Sequence, residues 1–211
     1  MKWRLHTHFE VDRHVPSRID VTPHGGGDER AVFSRTLEPD RLSVMDRSYA
    51  KFKLFNEISS IGSSYVCRLR DNSVYQVEED RPLTDADRAE NVLSDQIVTF
   101  GKSTNHTTAA TSHPLRLVIV KIKPHVSQGK YQGGSSGVDS DGFLRIATNL
   151  LDVPAEIIAI LDAYRWTIEI FYQPPAAASG SSSIYSAAVI CSATIRTASK
   201  SKPTARSSPA C

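Results

Sequence analysis

The sequence predicts an α/β protein. A mixed sheet is flanked by helices, a β-rich subdomain is inserted, and the C-terminal tail is disordered. Three observations predict this. Residues 1–70 mix period-two apolar alternation with a stretch of helical spacing, and residues 141–171 return to that style. Residues 71–140 carry β-branched runs separated by polar loops. From residue 172 the style breaks: Ser and Ala fill 19 of the last 40 positions, and Pro174-Pro175 interrupts an unfinished apolar helix face.

The elements follow in order. Trp3 to Val11 alternates apolar and polar residues and predicts a half-buried strand. Arg18 to Thr22 is a second short strand, joined to the first through a turn at Asp12–Val15, so the pair predicts a hairpin. His24 to Asp28 is a loop, and Asp28 could cap a helix running to about Leu37. Leu42-Ser43-Val44-Met45 is a short apolar strand ending at Asp46. Tyr49, Phe52, Leu54, Phe55 and Ile58 have helical spacing, and Gly62 stops that helix. Ser64 to Arg70 returns to strand. Val74–Val77, Gln96–Phe100 and Leu115–Ile122 are the strands of the inserted subdomain, with loops from Ser103 to His113 and from Gly129 to Gly142. Phe143 to Thr148 is a strand. Pro154 opens a helix through Phe171, in the first turn, where a missing N–H costs nothing.

Composition bounds the class. Hydrophobic residues make up 40% and charged residues 23%, ordinary for a soluble globular protein. No segment has the roughly 18 apolar residues of a membrane span. The N-terminus has no apolar run after its basic residues, so a secretory signal is not expected. Cys67, Cys191 and Cys211 are odd in number and widely spaced, which favours a reducing compartment. Residues 172–211 hold Arg196, Lys200, Lys202 and Arg206 and no acid, so they carry +4 of the overall +2 and leave −2 on the rest. A strongly basic body is absent, so any DNA contact must come from local patches.

Two acids stand in settings suited to chemistry. Asp46 ends a short buried strand, which holds its carboxylate on a rigid element. Glu169 lies one helical turn after Arg165, on the same face. Two acids converging from different elements are what a Mg²⁺ site uses, with hard oxygen ligands and room for phosphate. Taken alone the signal is weak, and an Asp capping a loop and a Glu in an intrahelical ion pair are the ordinary reading. His6 and His8 alternate onto one strand face, and such a pair can bind Zn²⁺ or be structural. Gly25-Gly26-Gly27 lacks the spacing and the Lys-Ser/Thr of a phosphate loop and reads as a turn. Arg4, Arg13, Arg18, Lys51 and Lys53 could meet phosphates or form a solvated face.

At this point the residues resemble a family. The carriers are Leu5-His6-x-His8-Phe9-Glu10-Val11, then Asp40-Arg41-Leu42-x-Val44-Met45-Asp46-Arg47-x-Tyr49, then Tyr65-Val66-Cys67-Arg68-Leu69, then Val153-Pro154-Ala155-Glu156, then Tyr164-Arg165-Trp166-x-Ile168-Glu169-x-Phe171. In this order they resemble bacterial insertion-sequence transposases of the DDE type, in the branch with a Tyr-Arg-Glu-Lys signature, over about residues 1–171. The resemblance implies a ribonuclease-H-like core. Asp46 then matches the second acid of the triad, Glu169 the third, and Arg165 the signature arginine. It implies Mg²⁺, with Mn²⁺ as a substitute, held by Asp46 and Glu169. Arg47, Lys51, Lys53 and Tyr164 become candidate contacts to double-stranded DNA at mobile-element ends. A dimer is possible, with a cytoplasmic, nucleoid-associated location and no membrane partner.

The domains expected are 1–70, the N-terminal part of the core without its first strand; 71–140, the inserted β subdomain; 141–171, the part carrying the Glu helix; and 172–211, the tail. The chain departs from the family in three places. The first Asp, expected in an Asp-Gly-Thr or Asp-Gly-Ser setting upstream of Lys2, has no match, and Asp12 and Asp20 sit on the wrong elements. Asp162 stands where the signature tyrosine is expected, and Ala176 where the lysine is. Codons for Gln173–Ser183 can be chosen so that a shifted frame encodes a family-like continuation, which suggests out-of-frame translation after about Phe171. The resulting expectation is a truncated, catalytically defective transposase. The alternatives are a non-catalytic DNA-binding or dominant-negative fragment and, more distantly, a His-x-His metallohydrolase.

Overall fold

The computed structural model describes residues 3–10, 13, 15–23, 29–71, 73–100, 110–122, 142–171 and 192–196, with backbone alone for 3–5, 166–171 and 192–196. The Asp28 cap, the triple glycine and most of both long polar loops lie outside these residues.

The strands are β1 (Trp3–Glu10), β2 (Val15–Pro23), β3 (Arg41–Met45), β4 (Ser64–Arg68), β5 (Tyr75–Asp80), β6 (Val92–Phe100), β7 (Leu115–Lys121), β8 (Phe143–Thr148) and β9 (Ser192–Arg196). The helices are α1 (Glu29–Arg35), α2 (Phe52–Ser60), α3 (Asp85–Ala89) and α4 (Ala155–Phe171), with a 3-10 turn at Arg47–Tyr49. All nine strands join one mixed sheet in the order β2-β1-β9-β3-β4-β8-β7-β6-β5.

The hairpin forms as its alternation predicts, with β1 antiparallel to β2 and a register shift at His8/Phe9. β3 and β4 are parallel, Met45 opposite Cys67, with α2 as the crossover between them. Both strands are buried on both faces, as parallel strands under helices are. Alternation sorts their side chains. Val44 and Val66 turn to one face, where Ala155 and Ile158 of α4 pack on them. Met45, Tyr65 and Cys67 turn to the other, against Phe33 of α1 and Leu54, Phe55 and Ile58 of α2. Tyr65 stacks flat on Phe55, with ring centroids 4.3 Å apart. Gly62 ends α2 with a φ of 75°, a left-handed position that a side chain would strain.

The strands within 71–140 extend this sheet: β7 pairs with β8, and β6 and β5 follow outward. Between β5 and β6, α3 is an element that apolar periodicity does not predict. Its start is a capping box, in which Thr84 accepts from the Asp87 backbone and the Asp87 carboxylate reaches back to the Thr84 N–H.

One expectation is corrected. The tail was expected to be disordered, yet residues 192–196 form β9 inside the sheet, antiparallel to β3 and parallel to β1. Five residues are too few to announce a strand by periodicity. The slot between β1 and β3 supplies donors and acceptors on both sides. The rest of the tail lies outside the described residues.

Candidate functional site

Asp46 follows the last residue of β3 in extended conformation (φ −78°, ψ 165°). The Asp46 carbonyl accepts from Tyr49 N at 3.0 Å and from Cys67 Sγ at 3.5 Å. Its carboxylate does not cap the 3-10 turn it precedes. Carboxyl ends of parallel strands under a crossing helix are where α/β sheets open crevices.

α4 crosses this end. Ala155 and Ile158 seat its first turns on β3 and β4, and deeper along it Asp162 and Arg165 are buried. Arg68, one residue past Cys67, donates to both Asp162 oxygens, with Nε at 3.0 Å from each and Nη2 at 2.6 Å from Oδ2. The position expected to hold a tyrosine thus holds a carboxylate matched to an arginine from the neighbouring strand. That pair pins α4 over β4. Sequence reasoning missed it because Arg68 and Asp162 are 94 residues apart.

Cys67 reports what surrounds this point. Burial is the main cause that pushes its thiol pKa well up, and the negative charges of Asp46 and Asp162 push it further. Arg165 acts in the opposite direction. Asp46, Asp162 and Arg165 therefore all lie within electrostatic range of one buried sulfur. Of the sequence-predicted residues, Asp46 and Arg165 both act on that sulfur, with opposite signs. Glu169 lies on the α4 backbone four residues beyond Arg165, about 6 Å further along the axis. Its side chain is outside those described.

The other candidates go elsewhere. Tyr164 is exposed and lines a cavity of about 530 Å³ with Val120, Ile122 and Leu144, next to the Arg68–Asp162 pair. Lys51 and Lys53 line a cleft between α1 and α2, and Arg47 sits half-buried on the 3-10 turn. His6 is fully buried with Nε2 2.7 Å from Thr22 Oγ1. His8 meets Thr36 Oγ1 at 3.2 Å and stacks on Phe33. Burial is the largest cause lowering the His8 pKa; Arg18 and His6 act with it, Asp20 and Glu38 against it. Both imidazoles are thus engaged by neighbours of the hairpin and α1. Among the described residues, no three His, Cys, Asp or Glu side chains are grouped so as to hold a metal.

The family model of the Transposase DDE domain matches residues 2–173. The chain belongs to the transposase DDE family. No curated protein and no solved structure matches it. The match takes in every element from β1 to α4, Asp46 and Glu169 included, and stops before β9. A mixed sheet flanked by helices is consistent with a transposase DDE fold, and such transposases generally use divalent metal ions. Asp46 offers hard carboxylate oxygens at the end of β3, and its side chain does not cap the turn that follows. Among the described residues, no helix is long and apolar enough to cross a membrane.

Proposed function

We propose that this chain is a catalytically defective DNA transposase, with a ribonuclease-H-like core from the Tyr-Arg-Glu-Lys branch. Asp46 and Glu169 are its remaining metal ligands. The single observation that carries the reading is the family match over residues 2–173, which takes in both Asp46 and Glu169. A bound Mg²⁺ or Mn²⁺ would neutralise charge at a DNA phosphodiester during in-line displacement. Asp46 and Glu169 would hold it. The buried Arg165 cation offsets the negative charge that Asp46 and Asp162 bring to one end of the sheet. Arg68 and Asp162 fix the angle at which α4 presents its next turn.

The family's first Asp has no counterpart among the residues of this chain. Two carboxylates hold a metal pair more weakly than three, so DNA cleavage is expected to be negligible. Residues 71–140 are read as an insertion into the core, and the partner is double-stranded DNA at mobile-element ends. Residues after about Phe171 are read as translated out of frame. The nucleotide sequence tests that directly, since the shifted frame must encode family-like residues.

The functional test has two arms. Mn²⁺ binding to the purified chain is measured by titration for the parent, Asp46→Asn and Glu169→Gln. Weak binding by the parent and at least a tenfold loss in each variant are expected. Unchanged affinity in both variants overturns the metal assignment. Incubation with element-end DNA in Mg²⁺ or Mn²⁺ is expected to leave both strands intact, and cutting would overturn the defective reading.

A further inference from the structure

We propose that β2 is a self-complementary edge, through which two copies of this chain pair antiparallel across a twofold axis at Ile19. β2 ends the sheet on one side, with β1 as its neighbour. Among the described residues its outer side has no strand partner, so a row of backbone N–H and C=O groups faces outward. Such an edge is completed when another strand adds to it. Two large apolar side chains stand open there, Ile19 at 56% and Val21 at 54% exposure. Ile19 is paired opposite Thr7 of β1, which is buried. The face that is covered at β1 is therefore open one strand further out.

The charges select both the partner and the register. In an antiparallel pair centred on Ile19, Arg18 of each copy lies opposite Asp20 of the other, and the two Ile19 side chains meet on the axis. Moving the centre one residue either way sets Arg18 against Arg18 or Asp20 against Asp20, and like charges directly opposite are destabilising. Within one chain the two side chains already lie together, with Arg18 Nε and Nη2 donating to the Asp20 oxygens at 2.8 Å and 3.1 Å. Two copies would close these pairs into a square of alternating charge. Pro16 and Pro23 cannot donate to a ladder, so they bracket the pairing window at Ser17–Thr22. The other edge of the sheet is built differently. β5 ends in the exposed acids Glu78, Glu79 and Asp80, the charged kind of edge that discourages strand addition. The pairing at β2 needs neither DNA nor metal.

The test is sedimentation equilibrium of the full chain without nucleic acid, from about 2 to 200 μM, since an interface this small dissociates at micromolar concentration or above. The mass is expected to rise from one chain toward two and to stop there. Ile19→Lys puts two ammonium groups on the axis, and Arg18→Asp sets a carboxylate against Asp20. Each is expected to weaken association about tenfold or more. Arg18→Asp/Asp20→Arg exchanges the signs, keeps the complementarity and is expected to restore pairing. The Ile19 residue and the Arg18 side chain are both more than half exposed, so these variants are expected to fold, and far-UV circular dichroism checks this. A parent that stays monomeric throughout, or association unchanged in both single variants, overturns the proposal. Loss in Ile19→Lys with Arg18→Asp unchanged overturns the register, as does a folded double variant that does not recover. Growth past two chains overturns the twofold closure. Association that appears only when duplex DNA is added overturns direct strand pairing.

Discussion

Arg116 is buried to 1% exposure at the start of β7, and replacing it with methionine tests how the helix carrying Glu169 is held. Its guanidinium meets both Asp95 oxygens, Nε at 2.7 Å from Oδ1 and Nη2 at 2.8 Å from Oδ2. Nη1 donates to the carbonyls of Leu150 and Val153, in the loop that leads into α4. One side chain thus ties β6, β7 and the entry to α4. In Arg116→Met, Asp95 stays buried with Arg81 Nε at 3.8 Å as its remaining ion-pair partner among the described residues. Breaking one side of a buried pair costs about 3–5 kcal/mol, because a charge is left uncompensated. At about 2–4 °C per kcal/mol for a chain this size, the melting temperature should fall by about 6–20 °C. Removing both charges in Asp95→Leu/Arg116→Met should recover part of that. The orphaned carbonyls would still cost about 1–3 kcal/mol. Urea unfolding followed by circular dichroism measures all three proteins. Destabilisation by the single variant of less than about 1 kcal/mol would refute the clamp, as would a double variant no more stable than the single one.

Three further outcomes are expected. Burial acts to raise the Asp87 carboxyl pKa, but hydrogen bonds from Thr84 and Glu156 outweigh it and bring it down to about 2. A depressed carboxyl stabilises the fold above its unfolded value of about 3.9, and the contribution fades as pH falls toward 2. Glu156, raised by the same contact with Asp87, acts in the opposite sense. Asp87→Asn should cost about 1 kcal/mol at pH 7 and flatten the urea midpoint between pH 4 and 2; an unchanged pH profile would count against the cap. In Thr194→Pro a ladder donor is lost from an interior strand, so amide exchange in β1 and β3 should quicken at least tenfold while that of β6 and β7 is unchanged. Uniform protection across the sheet would argue that β9 does not bridge the hairpin to the core. Cys67 is fully buried, and its thiol is held far from ionisation, so at pH 8 its alkylation should wait on unfolding. Alkylation at the rate of a free thiol in native buffer would contradict this burial.

The hairpin, the apolar strand before Asp46, the helix stopped by Gly62 and the helix opened by Pro154 were all legible. Each is a local pattern, an alternation or a helical spacing closed by a turn residue. Asp46 was legible as a candidate because a strand end is itself a local feature. The short α3 was not, because its signal is a polar cap rather than an apolar stripe. Nor was β9, since five residues of a Ser- and Ala-rich segment acquire strand character only from the neighbours they bond. The Arg68–Asp162 and Arg116–Asp95 pairs were equally hidden, because charge gives no hint of its partner when that partner is far along the chain.

Local chemistry therefore determined, from the residues alone, which segments are strands and helices and which acids stand at their ends. Only the tertiary structure decided which of those ends meet. It matched the aspartate at the expected tyrosine position with Arg68, and gathered Arg35, Lys51 and Lys53 into one cleft. The physical reason is range. Backbone preference and periodicity act over a few neighbours, whereas burial and charge pairing act through space among residues that only the folded sheet brings near.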